Sequence, residues 1–160
     1  MKFLSLFSFA GIASATILQN GQVRETNYPD TKINPSDYKF ATYRAGTPEV
    51  SYKGRWDAQH TSWWSAPGLK FGFSGNQVAI TLGPNTINTT LVAYRLSGLD
   101  WQFTNVTAGA THLFISEKTP GIELESPINP KTFELRVTNW EYGIQIDKVM
   151  LSTMIERSIN

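Results

Sequence analysis

The chain has 160 residues, with 14 basic and 13 acidic side chains and no cysteine. Without cysteine there is no thiol catalysis and no thiolate-held zinc. Near-neutral charge with no block of like sign gives a nucleic acid or an anionic membrane no electrostatic footing.

Met1-Lys2 supplies a positive end, Phe3 to Ile12 an apolar stretch, and Ala13-Ser14-Ala15 a small-residue cleavage site. This three-part pattern predicts a signal peptide over residues 1–15 and a secreted, extracellular mature chain. The apolar stretch is too short to span a bilayer. What remains suits one domain able to build a core without disulfides. Residues 16–48 are polar and broken by Pro29, Pro35, Gly46 and Pro48, which reads as a leader or an edge segment. Only Tyr38 to Tyr43 has strand character there.

From Glu49 the pattern changes to short alternating runs, and residues 49–151 read as a β-sandwich domain. Val50 to Tyr52 alternates, and Phe71 and Phe73 share a face. Val78, Ile80 and Leu82 alternate with Gln77, Ala79 and Thr81, the mark of a half-buried strand. Thr90 to Leu96, a Ser97-Gly98 turn and Leu99 to Phe103 read as a hairpin. His112 to Ile115, Phe133 to Val137 and Ile144 to Leu151 complete the series. In the last run Ile144 and Ile146 share one face and Val149 and Leu151 the other, which predicts a bulge or an edge. Helical periodicity is nearly absent before Ser152, and residues 152–160 read as a tail. About eight short strands predict an all-β fold, a single jelly-roll-like β-sandwich.

The sequence offers little catalytic machinery. Gly72-Phe73-Ser74-Gly75-Asn76 approaches a hydrolase elbow but has asparagine in place of the second glycine. A turn between Phe73 and Val78 accounts for it. His60 stands three residues from Asp57, and a triad with Ser62 or Ser65 can be drawn, but the spacing does not demand one. His60 reads as a hydrogen-bonded loop residue and His112 as a surface or edge residue. Glu123 and Glu125 would share a face on a strand, as a solvated pair without a third ligand. No catalytic residue, metal site or cofactor is therefore assigned.

The aromatic residues are the stronger signal. Sugar rings present apolar C–H faces that stack on indole planes. Trp63 and Trp64, in a polar loop before Pro67, are candidates for glycan contact, with Trp56 and Asp57 beside them. The same four residues are candidates for an interface with another domain. Adjacent residues on an extended chain point oppositely, so at most one of Trp63 and Trp64 belongs to the core. Trp101 and Trp140 are expected in the core. Arg55 and Asp57 are placed to form an ion pair. Asn88-Thr89-Thr90 and Asn105-Val106-Thr107 are glycosylation sequons, which place Asn88 and Asn105 at the surface.

Several of these stretches carry a family likeness. Lys53 to Asp57, Trp63 to Gly68, Phe71 to Gly75 and Val78 to Leu82 resemble the N-terminal β-sandwich of fungal SGNH/GDSL-type esterases, the layout of carbohydrate esterase family 2. Ala93 to Thr107 and Phe133 to Gly143 continue it. The resemblance implies a sandwich that precedes a separate SGNH hydrolase domain opening on a Gly-Asp-Ser block, and this sequence contains no such block. Three functions follow. The chain is a non-catalytic accessory module that binds a xylan- or cellulose-like polysaccharide or supports a hydrolase domain. Or it is a truncated fragment of an acetyl-polysaccharide esterase. Least supported is a free-standing hydrolase using His60 and Asp57. Neither nucleic acid nor membrane is expected as a partner.

Overall fold

The computed structural model describes residues 18–19, 22–23, 28–123, 130–139 and 142–152. The proposed signal peptide, Glu125, Trp140 and the tail beyond Ser152 lie outside the described residues.

Among the described residues, thirteen strands run in chain order. They are β1 (Leu18–Gln19), β2 (Gln22–Val23), β3 (Lys32–Ile33), β4 (Phe40–Arg44) and β5 (Ser51–Lys53). Next come β6 (Thr61–Ser62), β7 (Gly68–Phe73), β8 (Val78–Leu82) and β9 (Thr90–Leu96). The series closes with β10 (Gln102–Val106), β11 (Thr111–Ile115), β12 (Lys131–Val137) and β13 (Ile144–Ser152). A short 3₁₀ turn, Pro35–Asp37, is capped by the Asn34 side chain. One sheet has five strands in the order β10-β9-β12-β7-β5. The other runs β3-β11-β8-β13-β4, with β6 also paired to β13. Every pairing is antiparallel. The chain is all-β, a two-sheet sandwich as its alternation predicts. The strands beyond the expected eight are mostly pieces of two or three residues, too short to show a period.

The core lies between the sheets. Phe133 on β12 meets Phe71 at 5.3 Å and Phe114, from the opposite sheet, at 5.7 Å between ring centroids. Tyr94 closes on Phe114 edge to face at 5.0 Å. Such tilted contacts suit the ring quadrupoles and add to the burial itself. Phe133 is fully buried, and truncating a phenylalanine so placed costs about 3–5 kcal/mol.

Three features differ from the sequence expectation. Strand β8 is buried on both faces, not one. Its Ala79 and Thr81 pair with neighbours on either side, and Thr81 bonds to Thr111 and reaches the Met150 sulfur. Strands β3 and β4 occupy opposite edges of that sheet, so residues 34–39 must cross from one edge to the other. In β13 the change of phase is a bulge between Ile146 and Lys148. The extra residue returns Val149 and Leu151 to the side of Ile144 and Ile146, so all four pack on the core.

His112 is the clearest correction. It is not a surface residue but fully buried, facing Ile80 across the pair of β11 and β8. Its Nε2 accepts from the Thr107 N–H at 3.1 Å, so that nitrogen carries no proton. Nδ1 therefore donates to Thr31 Oγ1 at 2.9 Å. Thr31 donates in turn to Thr104, and Thr104 donates to the Pro29 carbonyl at 2.8 Å. This one-way chain ties residues 29–31 and β11 to β10 of the other sheet. Burial drives the His112 pKa down from 6.5 to about 4, against a smaller opposing pull from Asp30.

Candidate functional site

The loops joining β5 to β7 and β8 to β9 meet at Gly143, which lies between β12 and β13. The first is built on a tight turn. The Asp57 carboxylate accepts from the N–H groups of Gln59 at 2.9 Å and Thr61 at 2.8 Å. The Asp57 and His60 backbones close the turn, with His60 at φ 55°. Asp57 thereby spends its carboxylate on backbone donors, the usual work of Asp in a turn. It does not pair with Arg55.

His60 is held by packing. Its ring lies 5.0 Å from that of Tyr52, and a side chain at Gly46 would overlap it. Its carbonyl accepts from the Ile146 N–H. Ser62 is buried, and its Oγ faces the Trp64 N–H rather than His60. Ser65 is exposed. No Ser-His-Asp hydrogen-bond series is assembled among these residues. Ser74 precedes the Gly75–Asn76 bend that carries the chain from β7 in one sheet to β8 in the other, with no helix behind it. Glu123 lies in a turn, not on a strand. Among the described residues no three acidic or histidine side chains converge as metal ligands.

The tryptophans divide by role. Trp56 is half-buried against the core, its indole N–H donating to the Lys53 carbonyl at 2.9 Å and its ring edge-on to Tyr52 at 5.2 Å. It anchors the loop. Trp63 and Trp64 are both exposed, at 53% and 54% of their surface. Neither belongs to the core, consistent with the limit that alternation sets. Trp63 packs over Gly143, where any side chain would collide with its six-membered ring. Trp64 lies under the Arg55 guanidinium at 4.6 Å from the ring centre, so Arg55 makes a cation–π contact in place of the expected ion pair. Ile87, also exposed, donates its N–H to the Gly143 carbonyl at 2.9 Å. Gln145 braces the loops from below, with its amide oxygen on the Asn85 N–H and its nitrogen on the Gln59 carbonyl.

Sequence reasoning missed that Gly143 seats Trp63 and that Ile87 bonds to Gly143, because nothing local announces either contact. Asn88 and Asn105 are both exposed, as expected of their sequons. Their side chains hold neighbouring backbone: Asn88 accepts from the Ala108 N–H and Asn105 donates to the Thr89 carbonyl.

Trp101 departs from expectation. It is half-buried outside the core, beneath the Arg95 guanidinium at 4.3 Å. Arg95 is held by Glu134, which also holds Arg136. Burial raises the Glu134 pKa, but hydrogen bonds from the two guanidiniums outweigh it and keep the carboxyl below its usual range.

The sequence matches no protein-family model and no curated protein. Among the solved structures it is similar to are two carbohydrate esterases. One is a family two carbohydrate esterase from Cellvibrio japonicus, with 10% identity over 71% of this chain and 33% of that one, at a TM-score of 0.52. The other is a carbohydrate esterase family 2 enzyme plus carbohydrate binding domain from Corynascus thermopiles (Myceliophthora fergusii). It has 19% identity over 65% of this chain and 31% of that one, at a TM-score of 0.49. This chain thus spans about a third of the length of the structures it resembles.

Proposed function

We propose that this chain is a non-catalytic accessory β-sandwich of a secreted carbohydrate esterase, and that Trp63 and Trp64 form its contact surface for a xylan- or cellulose-like polysaccharide. The observation that carries the reading is the exposure of both indoles, at 53% and 54%, on one braced loop. Large exposed aromatics on a rigid support suit the apolar faces of sugar rings. The fold shared with a family two carbohydrate esterase supports the setting. Export rests on the leader-like pattern of residues 1–15. No described helix is long and apolar enough to cross a membrane. The test is retention of the purified chain on insoluble xylan and cellulose. Retention that weakens in Trp63→Ala and in Trp64→Ala supports the reading, and no retention on either polymer ends it.

The share of length favours a second reading. In a longer protein, the same two indoles would pack against an SGNH hydrolase domain, and the whole would be an acetyl-polysaccharide esterase. Reading the transcript beyond Asn160 separates the two. An in-frame Gly-Asp-Ser block establishes the second reading, and a stop codon removes it.

A further inference from the structure

We propose that the outward face of the five-stranded sheet is a separate binding site for an acidic polysaccharide, one built from sugars that carry free carboxylates. Strand register makes the site. Arg95 on β9 faces Glu134 on β12, and Glu134 faces Lys70 on β7. In the next row Ala93 faces Arg136, Arg136 faces Gly68, and Gly68 faces Lys53. Facing residues of antiparallel strands project to the same side. The outward positions of the four strands β5, β7, β9 and β12 therefore gather Lys53, Lys70, Arg95 and Arg136 against the single carboxylate of Glu134. The whole chain is close to neutral, so the sheet concentrates positive charge that the sequence scatters over 84 positions, from 53 to 136.

Glu134 sets this face apart from an ordinary basic surface. Its Oε2 accepts from Arg95 Nε at 3.0 Å and Nη2 at 2.8 Å, and its Oε1 from Arg136 Nε at 3.1 Å and Nη2 at 3.0 Å. Each guanidinium is fixed in one plane, and its Nη1 group is directed away from Glu134. The carboxylate offsets one cation and leaves an excess of three. A guanidinium already held in place loses less entropy when it takes up a second carboxylate. The side chains of Arg95 and Arg136 remain 29% and 44% exposed. At this edge of the sheet Trp101, just before β10, stacks on Arg95, and Phe103 on β10 faces Ala93. Aromatic faces beside fixed cations match a ligand whose repeating unit has both an apolar ring face and a carboxylate. Small residues flank Arg136 on both sides, Ala93 and Gly68, and leave its guanidinium open to a chain lying across the strands.

The experiment is affinity electrophoresis of the full chain through gels containing polygalacturonate, with fully methyl-esterified polygalacturonate as the uncharged control. Retardation is expected with the acid form alone. Arg136→Gln should weaken it about tenfold and Lys70→Gln about threefold. Trp101→Ala should weaken it about tenfold, through lost stacking. Trp63→Ala should leave it unchanged, which separates this site from the loop surface whatever the fate of that proposal. Equal retardation in both gels overturns the inference. So does full retardation of an Arg136→Gln, Lys70→Gln double variant whose circular dichroism matches the parent. Displacement by single-stranded DNA at the same charge concentration also overturns it, since that would mark an unselective cationic patch.

Discussion

The six-membered ring of Trp63 occupies the space that a side chain on Gly143 would fill. The exposed indole is thus seated on bare backbone, and its pose depends on a residue 80 positions away. Gly143→Ala is expected to push the ring off its seat while leaving the hydrogen bond between Ile87 and the Gly143 carbonyl in place. Retention on insoluble xylan should fall about fivefold, a loss of roughly 1 kcal/mol, with a change in tryptophan emission. Unaltered emission and retention would show that the seat does not matter.

His112 makes stability depend on pH. Its folded pKa is depressed from 6.5 to about 4, so the unfolded chain binds the proton first. Stability is expected to be fully present above about pH 6.5 and to fall as pH drops towards 4. The loss should be about 2 kcal/mol, allowing for solvent screening of part of the shift. Thermal unfolding across that range measures the loss, and the His112 ring proton resonances assign it. Resonances that titrate near the ordinary histidine value of about 6.5 would contradict the neutral, Nδ1-protonated ring.

Thr61 is 2% exposed, and its hydroxyl oxygen has no hydrogen-bond partner among the described residues. Leaving a buried hydroxyl unpaired costs about 1–3 kcal/mol. Thr61→Val keeps the shape and the β-branch and removes the unpaired group. It is expected to stabilise the fold by about 1 kcal/mol and to raise Tm by about 2–4 °C. A lower Tm would mean that the hydroxyl is satisfied in solution.

The long strands were legible because large apolar side chains recur at every second residue, even in β8, whose two faces are both dry. Val78, Ile80 and Leu82 mark β8 and Phe133, Leu135 and Val137 mark β12 by period alone. Ser97 and Gly98 turn the β9–β10 chain with φ of 47° and 75°, the left-handed pair that such a short turn needs. Burial of His112 was not legible, since a polar ring among apolar neighbours looks the same at an edge or in a core. Of its partners, Thr107 lies five residues upstream but Thr31 lies 81 residues away. Trp101 misled for a related reason: size argued for the core, but Arg95 offered its ring another partner. The loop tryptophans were legible as candidates, whereas the cationic face was not, because register alone collects its residues.

The proposed contact of Trp63 and Trp64 with sugar has a direct optical readout. The most direct measurement is tryptophan fluorescence of the full chain titrated with soluble xylo- and cello-oligosaccharides. A saturable change, absent from a Trp63→Ala, Trp64→Ala double variant that keeps its β-sheet circular dichroism, is the expected result. No change with either series, or an equal change in the double variant, would contradict the account.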